Sequence, residues 1–408
     1  MDSKINVAVF FGGKSFEHDV SIITGIEVCL SLDFTKYNII PVYLDLNNQL
    51  WTGEALMSKT IYPLQEWGKK MLQETKLLIG EPVPTLQVKK QGMFLSGLEK
   101  IKFDVAFCAF HGEYGENGPM QGLFEVAGIP YTGCRFLSSA LAMNKSFTKM
   151  LAKKAGVSVL DEILLTKPND DFFDIDQITQ EVKFNFPVIV KPNALGSSVG
   201  VSKANNKEEL NTAVMSIFTL GENALVEPFV ENLEEYNISV TKVFDNKTTP
   251  SIIERPKKKT NEFLDFKEKY VSSGGTKANG AKIGTKFGGS NSSGMLSMTR
   301  DYNPKELSTE EKAKLQDWAV KVFDVLECNG VVRIDFLCNS KTKEFYLCEI
   351  NTIPGSLSYY LWEASEPAYS KIELVEKLVD EAIQLNKKVK GNIILNESKI
   401  FKEKLEQK

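Results

Sequence analysis

Residues 331–351 read VVRIDFLCNSKTKEFYLCEIN, and the fold turns on this stretch. Two alternating runs, 331–337 (VVRIDFL) and 344–350 (EFYLCEI), flank a turn at 339–342, the pattern of a β-hairpin. Side chains two residues apart in a strand share a face, so Arg333 lies with Asp335, and Glu349 with Asn351. Pairing the strands brings Asp335 close to Glu349 and Asn351, two carboxylates and an amide oxygen. An all-oxygen set of this kind suits Mg²⁺, which takes one or two carboxylates together with nucleotide phosphates. Polar side chains facing water would give the same spacing, but acidic residues are depleted in strands.

Working back from the hairpin, 309–326 carries an amphipathic helical pattern and 235–243 (EYNISVTKV) a strand. Between Ser272 and Gly294 lie seven glycines among Ser, Lys and Asn. Such a segment cannot bury enough surface to order itself and is expected to be a mobile loop. The tail, 397–408, reads as a solvated charged helix or a frayed end. Further back, 186–191 (FPVIVK) is a short buried strand, and 224–230 (ALVEPFV) is another. The first runs into 192–200, PNALGSSVG, where glycines uncover backbone N–H groups and Ser197 and Ser198 add hydroxyls. That combination can wrap phosphate oxygens, with Lys191 in reach; an ordinary turn beside a surface lysine would look alike. Asn144 is a plausible N-cap for a helix through Lys154 that ends at Gly156. Lys145 falls in its first turn, where the helix dipole disfavours a cation unless an anion is near, although exposed lysines at helix starts are common.

The N-terminal part opens with an apolar run at 5–11 broken by Gly12-Gly13, a helical rhythm over 15–32, and a strand at 37–44. A strand entering a helix through a glycine turn begins a doubly wound α/β unit. GxGxxG is absent, so a dinucleotide cofactor is not supported. Glu17 and His18 follow in the helix's first turn, where an acid is favourable in any case. Residues 47–98 are polar and weakly patterned, an elaboration on that core. A buried strand at 103–110 leads into the glycine-rich loop 111–122, HGEYGENGPMQG.

The 408 residues suggest two or three domains. With 42% hydrophobic and 25% charged residues the composition is that of a globular protein. A net charge of −4 disfavours a nucleic-acid coat. No apolar run approaches the ~18 residues of a spanning helix, and the N-terminus lacks a signal-peptide core, so a soluble cytoplasmic protein without membrane partners is expected. Six cysteines without a CxxC pair read as buried thiols, not a disulfide framework or zinc site. Two histidines, His18 and His111, exclude a multi-histidine centre, so any metal must be held by oxygen.

In order, FFGGKSFEHDVS, FHGEYGENGPMQGLFEVAGIPYTG, SALAMNKSFTKMLAKKAG, FPVIVKPNALGSSVGVSK, VRIDFL and CEINTIPG resemble segments of the D-alanine–D-alanine ligase family of ATP-grasp enzymes, over about 7–355. The resemblance implies a mixed α/β fold: a Rossmann-like unit (1–133), a central ATP-grasp subdomain (134–231) and a C-terminal catalytic subdomain (232–408), the last two sandwiching ATP. It implies phosphorylation of one D-alanine's carboxylate by ATP and attack by the amine of a second, for peptidoglycan precursor synthesis. By resemblance Lys145 and Lys191 bind the ATP phosphates, Glu227 lies at adenine, Glu235 holds the ribose, and Ser198 and Val230 also bind ATP. Asp335, Glu349 and Asn351 match Mg²⁺ ligands, with Mn²⁺ as a substitute. Arg333 and the N–H of Gly355 match the oxyanion stabilisers. Glu17 resembles the grip on the first substrate's ammonium, with Ser197 linking it to Tyr270, and His111 lies near that substrate. Lys269 and Tyr270 resemble the nucleotide lid, and a homodimer is expected.

This chain departs from the family pattern at several places. Ala194-Leu195 replaces a more polar pair, Pro228 stands where many members have lysine, and 272–294 lengthens the lid region. Ser358 and Tyr360 fall in the second-substrate segment, with Tyr360 where a serine commonly touches the acceptor's carboxylate. The acceptor is therefore open between D-alanine and another amino acid such as D-serine. A nucleotide-binding protein without catalysis is the alternative from another class.

Overall fold

The structure is a computed structural model that describes residues 4–89, 97–170, 172–257 and 300–392. The glycine-rich stretch 272–294, the lid residues Lys269 and Tyr270, and the tail 397–408 lie outside the described residues.

Three sheets follow one another along the chain. The first contains β1 (Ile5–Gly12), β2 (Tyr37–Leu44), β3 (Leu50–Thr52), β4 (Gln73–Leu78), β5 (Thr85–Lys89), β6 (Leu98–Lys102) and β7 (Val105–Cys108), in the order β6-β5-β4-β3-β2-β1-β7. The strands β2, β1 and β7 run parallel. Val7 to Phe11 are fully buried, as expected of a strand covered on both faces. Between β1 and β2 the chain crosses over through α1 (His18–Ser31).

The described residues of 47–98 do elaborate on that core, and in a regular way. They form an antiparallel meander, β3 to β6, that widens the same sheet. These strands have only three to six residues and are largely half-buried or exposed, so no clean alternation marks them in the sequence.

The second sheet, β8 (Ile163–Leu165), β9 (Val188–Pro192), β10 (Ser202–Ala204) and β11 (Ala224–Pro228), is antiparallel with order β10-β9-β11-β8. Just before it comes α2 (Lys145–Lys154), whose Asn144 side chain accepts the N–H of Phe147, as the sequence anticipates. One face of the sheet is closed by α3 (Lys207–Thr219), which packs Leu210, Val214, Ile217 and Phe218 onto Val188, Val190, Ala224 and Val226.

The third sheet is antiparallel: β12 (Leu233–Thr241), β13 (Thr249–Pro256), β14 (Arg300–Tyr302), β15 (Val331–Asn339) and β16 (Glu344–Asn351), ordered β14-β13-β12-β15-β16. The hairpin of β15 and β16 forms as the alternating sequence requires. Its period of two sorts the side chains. Val332, Ile334 and Phe336 go to one face with Ile238 and Val240, against Trp318, Val322 and Phe323 of α4 (Thr309–Val325). Arg333 and Asp335 are left to the other face. A Ser308–Glu311 capping box starts α4. The chain continues through the short α5 (Tyr359–Glu363) into α6 (Lys371–Asn392). From α6, Leu374, Val375, Leu378, Val379 and Ala382 join the core of the first sheet, so the C-terminal part packs on the N-terminal one.

Candidate active site

The polar face of the third sheet has a definite register. Asp335 pairs with Glu349, and Arg333 with Asn351. Arg333 grips Asp335 through Nε and Nη2, both at 2.7 Å, and Asn351 Nδ2 donates to Asp335 at 3.1 Å. Arg333 is buried; desolvation alone would lower its pKa, yet the adjoining Asp335 carboxylate raises it, so its charge is permanent. The hairpin thus assembles two carboxylates, an amide and a guanidinium.

Facing this face are side chains of the second sheet and of α2. Lys145 Nζ donates to the Leu195 carbonyl at 2.6 Å and lies 3.9 Å from Glu349 Oε2. Its backbone N–H donates to the Asn193 carbonyl, so the start of α2 is fastened to the 193–195 strand exit. Burial lowers the Lys145 pKa against the pull of Glu349. Lys191, also buried, pairs with Glu227 at 2.8 Å; burial would lower its pKa, but Glu227 raises it. Glu227 is held from its other side by Lys149 at 2.7 Å, and the two lysines keep its carboxylate ionised against the cost of burial. The thiol of Cys348 on β16 is pushed up to about 12 by burial, and Lys191, Glu349, Glu227 and Glu235 lie within electrostatic reach of it. Val230 is buried just past β11.

A second cluster gathers where α1 meets the loop after β9. Ser197 Oγ donates to Glu17 Oε1. Glu17 is wedged between two glycines: a methyl on Gly112 would stand 3.2 Å from Glu17 Oε2, and one on Gly196 3.3 Å. At φ +75° Gly112 also takes a conformation that disfavours other residues. Ser197 and Ser198 both have positive φ, 55° and 57°, local strain of the kind found at functional loops. His111 shares a hydrogen bond of 2.8 Å with Thr24 Oγ1. Burial and the charge of Arg333 hold its pKa at about 3, so the imidazole is neutral at physiological pH. Thr24 also accepts the N–H of Ser356, in the turn that begins at the buried Gly355. Ser358 and Tyr360 follow it, both buried.

The structure therefore brings together Arg333, Asp335, Glu349 and Asn351 with Lys145, Lys191, Glu227 and Glu235. Glu17, Ser197, His111 and Gly355 meet in the adjoining cluster. Two buried residues join them that the sequence reading did not single out. Lys149 sits one helical turn after Lys145 and so shares its face, a spacing the sequence does display. Glu116 accepts the N–H groups of Gly112 and Ile353, tying the 111–122 loop to the segment after β16.

The donor chemistry fits a hard divalent cation. Asp335, Glu349 and Asn351 offer carboxylate and amide oxygen and no sulfur or imidazole, the set expected for Mg²⁺ or Mn²⁺. Among the described residues no group of three or more His, Cys, Asp or Glu side chains converges, so a cation here would complete its shell from phosphate or water.

Three sheets of this order, with a cation- and carboxylate-lined face between the second and third, define an ATP-grasp protein. Two family models match the chain, "D-ala D-ala ligase N-terminus" over 6–134 and "D-ala D-ala ligase C-terminus" over 151–287 and 290–380. The D-alanine--D-alanine ligase of Thermosipho melanesiensis is 36% identical over 370 residues, covering 90% of this chain and 91% of its own. That of Thermosipho africanus is 33% identical, over 99% of this chain and all of its own. The crystal structure of the Helicobacter pylori D-alanine–D-alanine ligase superposes with a TM-score of 0.66 at 28% identity, covering 92% of this chain and 98% of that one. The chain belongs to the D-alanine–D-alanine ligase family.

Proposed function

We propose that this protein joins two D-alanines at the expense of ATP, giving D-alanyl-D-alanine, ADP and phosphate for peptidoglycan precursor synthesis. One observation carries this: the register that sets Arg333, Asp335, Glu349 and Asn351 on one sheet face opposite Lys145 and Lys191. That is a polyanion site beside a guanidinium.

Lys145, Lys191 and the 196–200 loop, with Ser198, take the phosphates. Glu227 and Val230 lie at the base, Glu235 at the ribose. A carboxylate oxygen of the first D-alanine forms a bond to the γ-phosphorus while the bond to the ADP oxygen breaks. The amine nitrogen of the second then attacks the acyl carbon. Arg333 and the Gly355 N–H stabilise the tetrahedral oxyanion; as it collapses, phosphate leaves and the amine loses its proton. Glu17, steadied by Ser197, holds the first ammonium, and neutral His111 adds no repelling charge beside it. Asp335, Glu349 and Asn351 would hold Mg²⁺ or Mn²⁺, which when bound neutralises charge on the phosphates. Lys269 and Tyr270 complete the lid in this reading. On family grounds the protein is a cytoplasmic homodimer; in the described residues no helix is long and apolar enough to cross a membrane.

Phosphate release and dipeptide formation with ATP, Mg²⁺ and D-alanine, against L-alanine, test the proposal. D-alanine-dependent release matched one-to-one by dipeptide is expected. Equal release with L-alanine, or release without dipeptide, would overturn it.

A further inference from the structure

The carboxylate of Glu227 is held by two lysines at once. Lys149 Nζ stands 2.7 Å from its Oε1, and Lys191 Nζ 2.8 Å from its Oε2. The second sheet explains one of these contacts. Lys191 on β9 is the register partner of Leu225 on β11, and residues that pair, or lie two apart along a strand, share a face. Lys191, Leu225 and Glu227 therefore stand on one face. It is the face turned away from α3, which covers Val188, Val190, Ala224 and Val226.

The other contact comes from outside the sheet. Lys149 reaches Glu227 from α2, one turn beyond Lys145. Its Nζ is also 2.7 Å from Glu162 Oε2. Ile163 on β8 pairs with Val226, so Glu162 and Glu227 are the next residues along the two strands, and Lys149 stands between the two acids. Two like charges so placed repel unless a cation intervenes.

Glu162, Lys149, Glu227 and Lys191 thus form a line of alternating charge. Its outer end reaches solvent, since the Glu162 side chain is 23% exposed, while the other three residues are buried. One lysine would balance one buried carboxylate. Two ammonium groups on Glu227 leave an excess of positive charge in a buried place, which is unfavourable unless an opposite charge comes near. The inner end of the line is Lys191, which lies within electrostatic reach of Glu349 and of Lys145. The excess therefore falls between the second and third sheets, where a polyphosphate would neutralise it.

Resting on the nucleotide reading of this site, we infer that Lys149 is a positioning residue for phosphate binding. By holding Glu227 from behind, it leaves Lys191 only partly engaged by that acid, with charge and N–H donors for a phosphate oxygen. Lys149 itself, enclosed between Glu162 and Glu227, does not touch the nucleotide. Without it Glu227 closes on Lys191 alone, and the pair is neutral towards an incoming anion.

Calorimetry on the full-length protein, with a non-hydrolysable ATP analogue and Mg²⁺, compares wild type with Lys149→Met, Glu162→Gln and the double variant. Binding by wild type upholds the nucleotide site; its absence removes that reading and this inference together. Given binding, Lys149→Met should raise Kd by roughly tenfold, the size of one hydrogen bond to a charged group. Glu162→Gln should lower Kd by roughly twofold, because Lys149 then serves Glu227 alone and a negative charge is gone. A network that merely held the fold together would weaken binding in both variants, so the opposite signs separate positioning from structure. Should Lys149→Met fail to fold, the double variant, which loses one charge of each sign, takes its place with an expected rise of roughly threefold or more. A Kd within twofold of wild type on loss of Lys149, or a Glu162→Gln that binds no more tightly than wild type, overturns the inference and leaves the nucleotide site standing.

Discussion

Arg333 is charged at any accessible pH because Asp335 grips it from 2.7 Å in a buried setting. As an oxyanion donor it should be worth about 10²–10³ in kcat, so Arg333→Ala should lower turnover by that factor with a smaller change in the KM for ATP. Unchanged single-turnover rates would reject the role. Glu116 behaves differently. Burial and the neighbouring Glu17 push its carboxyl up to about 7, although it accepts N–H groups from Gly112 and Ile353. A raised folded pKa favours the protonated form, so this contribution to stability is full below the ordinary carboxylate range and is lost as pH rises to about 7. Glu116→Gln carries no such proton. Between about pH 4.5 and 7.5 the stability of wild type relative to Glu116→Gln should fall by a few kcal/mol in urea titrations. A difference that is flat with pH would contradict the assignment. Glu116 was not legible in the sequence. It is buried by a partner distant in the chain, Ile353, which no local pattern encodes.

At the level of elements, strong periodicity carried. The 331–351 hairpin, the helix from Asn144 and that over 309–326 all form, because each needs only its own alternation or cap. The meander β3–β6 was illegible because its short, half-exposed strands gain their shape from pairing with neighbours. The capping box of α4 isolates one local device from catalysis. Ser308 is exposed and remote from the polar face, so Ser308→Ala should cost about 1 kcal/mol and lower Tm by a few degrees at most, with kcat unaltered. A loss of activity at full occupancy of the fold would mean that α4 does more than back the sheet.

Over the whole molecule, nucleotide and cation should act as linked ligands, since Lys145 at the start of α2 stands 3.9 Å from Glu349 on β16. Bound ATP analogue stabilises the folded state by RT ln(1 + [L]/Kd), about 2.7 kcal/mol at a hundredfold excess over Kd. Thermal shifts with a non-hydrolysable analogue and Mg²⁺ should therefore rise with concentration and shrink on adding EDTA or in Asp335→Asn. A shift indifferent to both would separate the hairpin acids from the metal. The architecture was legible as ordered motifs, but the packing of α6 on the first sheet was not, because an amphipathic helix announces a face and never its partner.

The most direct test of the chemistry follows oxygen. With D-alanine labelled by ¹⁸O in both carboxylate positions, passage through an acyl phosphate delivers one labelled oxygen to each phosphate released, one phosphate per dipeptide. Unlabelled phosphate accompanying dipeptide would contradict the mechanism.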